Sequence, residues 1–469
     1  MAEMMESELV VIGAGPGGYA AAFLAADKGM KVTLIDGAAK PGGSCLHVGC
    51  IPSKALLHAA KLITDVAEAG PWGLQFDMKP PDIHALRNFW YKIVDTMAKN
   101  LLDLCKRRQV EYLQARAVFA DAHSLQLDNG SKRRFKNCIL AVGSSPTRIP
   151  SLSIETPRLM DSTAALHLKE LPKSLLVVGG GYIGLELGYV YAALGSKVTV
   201  VELTDGLLPG VDRNLVSPLH KRLEGIFEKI YVNTKVAQLS ETASGLRAKL
   251  EGDEVANKEP VFDRVLVAVG RAPNSKGLGL ENTNVQLDEK GFVIVDEQRR
   301  THEPSIFAIG DVAGEPMLAH KASHEGKVAV EAILGEPAVF EPRAIPAVVF
   351  TDPEIAWCGL TETDAKRLKR EVKVVRFPWA ASGRAMTLSR TEGLTKIVLD
   401  PDTEQILGVG LVGAGAGELI GEGVLAVEMG ATAKDLALII HPHPTLSETL
   451  GEAAETLYGT ATHIMRPKR

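Results

Sequence analysis

A glycine-rich pattern occurs twice in this chain and constrains its fold more than any other feature. Residues 9–12 form a short apolar run, followed by a glycine turn, an alanine-rich stretch and a second apolar run that ends at Asp36. The same order returns, with its first predicted strand at residues 174–178, and ends at Glu202. In both copies the acid follows the first glycine by 23 positions. Two strand–helix–strand units of this kind predict two Rossmann-like dinucleotide-binding domains.

The glycines of each unit have different physical roles. The first permits a tight turn, the second lets a pyrophosphate approach the backbone, and the third lets the helix pack closely on the strand. The glycines at these places are Gly13, Gly15 and Gly18 in the first unit, and Gly179, Gly181 and Gly184 in the second.

The acid at the end of each unit is placed to accept a hydrogen bond from a ribose 2′-hydroxyl. A carboxylate repels a 2′-phosphate, so Glu202 favours NAD over NADP at the second site. The alternative is a solvent-exposed acid at the end of a strand.

Two cysteines, Cys45 and Cys50, lie just after the first unit and are separated by four residues. They can be bridged if the backbone brings their Cα atoms within roughly 4.4–6.8 Å. Pro52 suits the first turn of a helix, which would place Cys50 near a positive helix end and favour its thiolate. Beside a dinucleotide site, the pair predicts a disulfide that opens and closes in turnover. A static disulfide or two buried thiols are the alternatives.

The position of the cysteines also predicts which cofactor each unit holds. The first unit lies next to them and would hold a flavin as their redox partner, whereas the second would hold a nicotinamide. The other cysteines, Cys105, Cys138 and Cys358, are scattered singly and are expected to fill core or surface positions.

Composition argues against several classes of function. The net charge of −5 disfavours a mainly electrostatic affinity for nucleic acid. No run of about 18 apolar residues exists, so we expect no membrane span. The first residues lack the basic start and apolar stretch of a signal peptide. We therefore expect a cytoplasmic protein with no nucleic-acid or membrane partner and no metal site.

The chain of 469 residues has room for three or four domains. Apolar strands ending in glycine are predicted up to Gly143 and Gly270, and a third ends in Gly310-Asp311. Asp311 could bind cofactor hydroxyls or simply lie in a turn. Past about residue 346, alternating patterns predict antiparallel strands and helices, and so a separate α+β domain.

A second chemical cluster lies near the end of the chain, at His443 and Glu448. A histidine can take a thiol proton and return it near neutral pH, and a carboxylate on its second nitrogen would orient the ring. A helix is predicted to start at about Thr445, with Glu448 in its first turn. The alternative is a loop histidine beside a capping box formed by Thr445 and Glu448.

Together these motifs resemble the pyridine nucleotide-disulfide oxidoreductases from about residue 8 to the end. The resemblance is closest to the NAD-dependent members that oxidise dihydrolipoamide, because of the F-P-W-A stretch at residues 377–380 and the choice of Glu202. Ser44 stands where Thr or Val is common in this family, and His47 stands where Asn is common. Neither difference removes an essential group. The most specific segments are residues 42–54, 179–186, 306–311, 317–321, 377–385 and 443–448.

The resemblance implies four structural regions. These are an FAD-binding domain at residues 1–147, an NAD-binding domain at 148–276, a central domain completing the FAD site at 277–345, and a C-terminal dimerisation domain at 346–469. It also implies a homodimer, in which His443 and Glu448 of one subunit serve the disulfide of the other. The implied partners are lipoyl domains and the acyltransferase core of 2-oxoacid dehydrogenase complexes, or the H protein of glycine cleavage.

The resemblance also assigns roles to individual residues. Cys45 would exchange with lipoyl sulfur, and Cys50 would lie against the flavin as the charge-transfer thiolate. Lys54 and Glu186 should pair near the flavin ring. The further FAD contacts implied are Asp311, Ala319 and Ala117, the NAD contacts are Gly180, Val236 and Gly270, and cofactor contacts are also expected at Gly43, Ser44, Lys54, Gly143 and Arg271.

Two other functions would use parts of the same sequence pattern. One is the same fold acting on another substrate, such as glutathione or mercuric ion, although the extra C-terminal cysteine pair of the mercuric enzymes is absent from the sequence. The other is a scaffold subunit that binds an acyltransferase core. A purely structural module would not need two cofactor motifs and a cysteine pair.

Overall fold

The computed structural model describes residues 5–465, and both glycine patterns begin strand–helix–strand units in it. The outer limits predicted for the first and last domains, residues 1 and 469, lie outside this range. No helix in the described range is long and apolar enough to cross a membrane.

The first unit belongs to a mainly parallel sheet whose central strand carries the apolar run of residues 9–12. That run is continuous rather than alternating because both faces of the sheet are buried: Leu9 and Val11 belong to one apolar cluster, and Val10 and Ile12 to another on the opposite face. The elements are β1 (Met5–Ile12), α1 (Pro16–Asp27), β2 (Val32–Asp36), α2 (Gly43–Val48), α3 (Cys50–Glu68), α4 (Ile83–Arg107), β3 (Glu111–Gln114), β4 (Ala117–Asp121), β5 (Ser124–Leu127), β6 (Lys132–Leu140) and β7 (Ser144–Pro146). The strand order is β3-β2-β1-β6-β5-β4.

The second unit repeats this construction. Its elements are β8 (Leu159–Met160), α5 (Ser162–Leu166), β9 (Ser174–Val178), α6 (Tyr182–Ala193), β10 (Lys197–Val201), α7 (Arg213–Glu224), β11 (Lys229–Tyr231), β12 (Lys235–Thr242), β13 (Gly245–Glu251), β14 (Val261–Phe262), β15 (Arg264–Val267) and β16 (Arg271–Pro273). The parallel sheet has the order β11-β10-β9-β15-β8, and β12, β13 and β14 form an antiparallel sheet beside it. Strand β16 pairs with β7 and so links the two units.

The chain then returns to the first sheet. Strand β17 (Ile306–Ala308) adds to it in parallel beside β6, and α8 (Ala319–Ile333) packs against α1. Asp311 follows β17 in a short 3₁₀ turn, Gly310–Ala313. This return places Asp311 beside the first glycine turn.

The last region is antiparallel, as predicted. Its elements are β18 (Ala347–Val349), β19 (Glu354–Gly359), α9 (Glu362–Leu368), β20 (Lys373–Pro378), α10 (Gly383–Thr387), β21 (Leu394–Leu399), β22 (Ile406–Gly413), α11 (Ala416–Glu428), α12 (Ala433–Ala437) and α13 (Glu448–Thr456). The strand order is β18-β19-β22-β21-β20, and helices α11 and α13 pack on this sheet. The predicted fold class, two Rossmann-like units with an α+β C-terminal domain, is confirmed.

Some predicted element ends are wrong. The strands expected to reach Gly143 and Gly270 end three residues earlier, because Ala141 N–H to Ile12 O and Ala268 N–H to Val178 O are their last bonds to neighbouring strands, both at 2.8 Å. The last helix begins at Glu448 rather than near Thr445, because the N–H groups of Thr449 and Leu450 bond only three residues back, to Leu446 O at 3.2 Å and Ser447 O at 3.0 Å.

A buried ion pair joins the second unit to the C-terminal sheet. Lys396 on β21 is 1% exposed and contacts the carboxylate of Asp212, the residue before α7. Asp212 also accepts hydrogen bonds from the backbone N–H and the hydroxyl of Thr363, at 2.8 and 2.6 Å. Polar groups of three elements therefore converge on one buried carboxylate.

Replacement of Lys396 by methionine is expected to destabilise the protein. It leaves Asp212 buried without its cationic partner, which costs on the order of 3 kcal/mol. Urea unfolding measures the effect, with Lys373→Met, at an exposed lysine of β20, as the control. Equal unfolding midpoints for the two variants would show that the ion pair contributes nothing.

Candidate active site

A cavity of about 480 Å³ opens where the N-terminal ends of α1, α3 and α6 face one another. It brings the cysteine pair together with the first glycine turn. The predicted site residues that line it are Gly13, Gly15, Asp36, Gly43, Ser44, Cys45, Cys50, Lys54, Gly143, Glu186, Arg271, Asp311 and Ala319.

The other predicted residues do not line this cavity in the described chain. Gly18 and Gly184 lie behind their glycine turns, while Gly179, Gly180, Gly181, Glu202 and Gly270 belong to the second unit. Ala117 and Val236 have buried side chains in apolar clusters of β4 and β12. His443 and Glu448 lie in the C-terminal region.

The first glycine turn is built for close backbone contact. Gly13 has φ +100°, and a Cβ there would lie 2.2 Å from the carbonyl oxygen of Ala141. A Cβ on Gly18 would lie 1.8 Å from the Gly13 oxygen. Helix α1 begins here without a side-chain cap or an acid in its first turn. Its first N–H groups therefore remain available for a phosphate.

The second turn repeats this construction at Gly179 and Gly184. Helix α6 also begins at a glycine cap with no side-chain acceptor. The two units thus offer the same kind of anion site, as expected for two dinucleotides.

The two acids have equivalent positions. Glu202 Oε2 accepts from Gly180 N–H at 2.7 Å, as Asp36 Oδ2 accepts from Ala14 N–H at 2.7 Å. Glu202 is 7% exposed, so the alternative of a solvent-exposed acid is wrong. A carboxylate has several lone pairs, so each acid can still accept a bond from a ribose hydroxyl.

The cysteines lie at the meeting point of two helices. Cys45 is on α2, and Cys50 is the first residue of α3, with Pro52 in its first turn. The structure holds them as free thiols, and Cys50 is exposed in the cavity rather than buried.

The two thiols differ in acidity. The hydrogen bond from the Cys45 thiol lowers the pKa of Cys50 to about 7, against the partial desolvation by the walls of the cavity, and the charge of Lys54 lowers it further. The same hydrogen bond raises the pKa of Cys45. Cys50 is therefore the thiolate of the pair, and Cys45 its protonated donor.

A charged pair lies beside the cysteines. Lys54 Nζ donates to Glu186 Oε2 at 2.9 Å, and the other Glu186 oxygen accepts from Phe350 N–H at 3.0 Å. The Lys54 ammonium also sits 4.3 Å from the centre of the Phe350 ring. Glu186 is buried, so this cation supplies the charge that a buried carboxylate needs. Phe350 was not identified from the sequence, since nothing near it forms a motif.

A second chain of contacts holds Asp311. The Ser144 hydroxyl donates to Asp311 Oδ2, and Arg271 Nε donates to the same Ser144 oxygen at 2.7 Å. Arg271 also donates to the Ser144 carbonyl at 2.6 Å. Asp311 therefore lies in the cavity with its carboxylate held, and it is not merely a turn or cap residue.

His47 has a structural contact. Its Nε2–H lies 3.2 Å from the carbonyl oxygens of both Lys40 and Pro41, so it closes the loop that precedes α2. The His47 side chain thus fixes the loop that leads into the cysteine segment.

The histidine near the end of the chain has the predicted carboxylate contact. His443 Nδ1–H donates to Glu448 Oε1 at 2.8 Å. A carboxylate only accepts, so the proton is on Nδ1 and Nε2 is the free basic nitrogen. Burial raises the pKa of Glu448, but the hydrogen bonds from His443 and the Thr445 N–H, with the nearby histidine charges, together outweigh it and set that pKa below the ordinary value. The His443 side chain is 68% exposed.

The capping box is only half formed. Glu448 reaches back to the Thr445 N–H, but the Thr445 hydroxyl donates to Pro442 O at 2.7 Å instead of capping the helix. Glu448 thus joins the start of α13 to His443, so the alternative of a simple capping box does not describe it.

A buried series of hydrogen bonds supports this segment and was not predicted from the sequence. Trp379 Nε1–H donates to Thr395 Oγ1 at 2.9 Å, and Thr395 donates to Thr449 Oγ1 at 2.7 Å. Thr449 in turn donates to Leu446 O at 2.7 Å. The tryptophan of the F-P-W-A stretch therefore supports the backbone just before Glu448.

Comparison with known proteins gives a consistent result. The family model for pyridine nucleotide-disulphide oxidoreductases matches residues 7–326, and the model of that family's dimerisation domain matches residues 345–454. A dihydrolipoyl dehydrogenase of Haemophilus influenzae is 44% identical, covering 100% of this chain and 98% of its own. One from Thermus scotoductus is 45% identical, covering 98% and 100%.

Solved structures agree on the fold. LpdA of Mycobacterium tuberculosis superposes with a TM-score of 0.88 at 27% identity, covering 97% of this chain and 100% of its own. The HOCl-induced flavoprotein disulfide reductase RclA of Escherichia coli superposes with a TM-score of 0.85 at 28% identity, covering 96% and 99%.

The chain belongs to the pyridine nucleotide-disulphide oxidoreductase family. It is accordingly an oxidoreductase with FAD and NAD as its cofactors. The uncapped ends of α1 and α6 and the held acids fit the two dinucleotides, and the cysteine pair fits a flavin beside it.

The hydrogen bond between the thiols yields a prediction. In the reduced protein, the absorbance of a thiolate beside oxidised flavin should titrate with a midpoint near pH 7. Cys45→Ala removes the donor and should raise this midpoint toward the ordinary cysteine value of about 8.5. Cys45→Ser keeps a donor and serves as the control. An equal midpoint in both variants would contradict the assignment of Cys50 as the acceptor.

Proposed function

We propose that this protein oxidises protein-bound dihydrolipoamide to lipoamide and reduces NAD to NADH, the activity for which its full-length relatives are named. The observation that carries the proposal is the cavity in which a thiolate and its thiol partner lie beside a dinucleotide turn. The held Glu202 at the second turn supports NAD as the acceptor.

The reaction starts from the Cys45–Cys50 disulfide. His443 takes a proton from one substrate thiol, and the thiolate attacks the sulfur of Cys45. The disulfide bond breaks, Cys50 leaves as a thiolate, and a mixed disulfide joins Cys45 to the substrate. The low pKa of Cys50 makes it the better leaving group.

The second substrate sulfur then closes the lipoyl ring. It attacks the substrate sulfur bound to Cys45, and the Cys45 sulfur leaves and takes the proton held by His443. The substrate has lost two electrons and the cysteine pair has gained them, with one proton on Cys45 and one released. FAD held beside Cys50 by the first glycine turn would supply the two-electron chemistry that links the cysteine pair to NAD.

Residues around the cysteine pair stabilise the charges that form during this reaction. Lys54 stabilises the Cys50 thiolate, and Glu186 holds Lys54 in place through the 2.9 Å bond. Asp311, Ser144 and Arg271 orient the cofactor end of the cavity. The assignment of Gly43, Ser44, Gly143, Ala319, Ala117, Val236 and Gly270 as cofactor contacts is part of the same proposal.

A homodimer is part of the proposal, because the base is apart from the disulfide in one chain. His443 does not line the cysteine cavity of the described chain. Exposed apolar side chains occur in the same C-terminal region: Leu425 on α11, Met429 directly after it, and Leu438 and the 96% exposed Ile440 shortly before His443 in the chain. Such exposed apolar side chains indicate an interface, and the family's dimerisation domain covers them.

The wider proposal concerns partners and organisation. Lipoyl domains with the acyltransferase core of 2-oxoacid dehydrogenase complexes, or the H protein of glycine cleavage, would bring the substrate, in the cytoplasm. The four predicted domains are kept, and the break between the two family matches, from residue 326 to 345, supports a boundary before the C-terminal domain.

The first test is NADH formation by the purified flavoprotein with dihydrolipoamide as donor. We expect turnover with NAD and at least about tenfold less with NADP, because the carboxylate of Glu202 repels a 2′-phosphate. Bound FAD that NADH reduces, without any turnover of dihydrolipoamide, would point to a different disulfide substrate.

The second test asks whether two chains share one site. His443→Gln should lower turnover of dihydrolipoamide by about 10²–10⁴-fold, because the base is lost, and Cys50→Ser should abolish it. Unfolding and refolding the two variants together should restore roughly one quarter of wild-type activity, since a mixed dimer contains one intact site.

The control for this test is each variant refolded alone, which should stay inactive. No recovery in the mixture, with dimers formed, would place His443 and the cysteines of one chain in the same site.

A further inference from the structure

A second histidine, His441, lies two residues before His443 and is almost buried. Its side chain is 9% exposed, and its Nε2–H donates to Glu422 Oε1 on α11 at 2.7 Å. On its other side the ring packs against Gly451 of α13, where a Cβ would lie 3.1 Å from His441 Nδ1. His441 therefore spans the space between two helices.

The segment around it is held mainly by side chains. Residues 438–447 connect α12 to α13 and form neither helix nor strand. In the described chain, no backbone N–H from residue 440 to 447 bonds to a backbone carbonyl. Leu438, Ile439 and Ile440 are exposed, so apolar burial within the chain does not fix the segment either.

Polar side-chain bonds must therefore set its path. The His443–Glu448 and Thr445–Glu448 contacts join the segment to α13 alone. The His441–Glu422 bond joins it to α11. Two attachments to different helices fix a segment where one would leave it free to swing.

The two histidines differ in what they can do. His443 is exposed and has a free Nε2, whereas His441 is buried and its Nε2–H is bound to a carboxylate. That hydrogen bond raises the pKa of His441, and the charges of Glu422 and Glu448 add to the effect. His441 is thus suited to hold a position and not to exchange protons with a substrate.

We propose that His441 and Glu422 are positioning residues for the base His443, because their bond fixes the segment that carries it. The inference rests on the proposed function, in which His443 takes the thiol proton. It adds that His443 is an effective base only when the His441–Glu422 bond attaches its segment to α11.

The test compares Glu422→Ala and His441→Ala with wild type in two assays. Dihydrolipoamide oxidation needs the base, whereas reduction of ferricyanide by NADH does not. We expect kcat for dihydrolipoamide to fall by about 10–100-fold in each variant, since a misplacement of about 1 Å has effects of this size. KM for NAD and the ferricyanide rate should stay within about twofold of wild type.

Three further variants sharpen the test. Glu452→Ala removes the equally long bond, 2.7 Å, from His463 on the same C-terminal domain, and should leave both rates unchanged. The double variant should be no slower than the slower single variant, because both remove one interaction. Glu422→Gln keeps an acceptor oxygen and should recover most of the activity.

Each outcome decides between the possibilities. Unchanged kcat in the alanine variants, or a glutamine variant as slow as the alanine one, overturns the positioning role. A lower melting temperature with normal kcat would show a purely structural bond and also overturns it. No dihydrolipoamide turnover by wild type refutes the proposed function and this inference with it, whereas an active wild type with unaffected variants refutes the inference alone.

Discussion

The contact between two glycine segments sets the geometry of the whole site. Gly43, at the start of α2, lies so close to the first nucleotide turn that a Cβ there would be 2.5 Å from the Gly15 Cα. The neighbouring Gly42 N–H donates to Ala14 O at 2.8 Å. The cysteine segment is thus docked directly on the turn that faces a pyrophosphate. A side chain at Gly43 would push the cysteine segment away from this turn.

The charges of the site follow from that docking. Once α2 and α3 are in place, Cys50 stands at the first position of a helix, where the positive end favours a thiolate. Cys45 reaches it from the preceding helix, and Lys54 approaches from one turn further along α3. The positions of the two cysteines on α2 and α3 therefore decide that Cys45 is the hydrogen-bond donor and Cys50 the acceptor. The proposed reaction depends on the same difference: Cys45 forms the mixed disulfide with the substrate, and Cys50 is the leaving thiolate.

Local patterns predicted the parts of the fold that depend on neighbouring residues. Strand β9 was predicted at its observed limits, because a strand buried on both faces is a continuous apolar run bounded by polar or glycine residues. The glycine turns, the acids and the cysteine pair were also found, since each lies within one short motif. The contact of His443 with Glu448 spans only five residues and could be proposed for the same reason.

Apart from the Lys54–Glu186 pair, which the family resemblance implied, the sequence could not predict contacts between distant segments. Lys396 with Asp212, Arg271 with Ser144, and Phe350 with Glu186 each join residues more than 100 positions apart, and no local pattern marks them. Errors at the ends of elements have a similar origin. The late start of α13 follows from the backbone bonds of Thr449 and Leu450 to residues three positions back, which no local pattern distinguishes from a first α-helical turn.

The way in which Glu202 is held bears on how nucleotide preference can evolve. Its carboxylate accepts from Gly180 N–H, and also from the N–H and the hydroxyl of Thr204, both at 2.8 Å. Losing the acid therefore leaves the buried Gly180 N–H without an acceptor, which costs free energy, and also removes the contact that holds Thr204. A lineage that changed this one residue would weaken the loop before gaining a new coenzyme. Exchange of the coenzyme thus calls for several coordinated substitutions, which makes the acid a conservative element of the second unit.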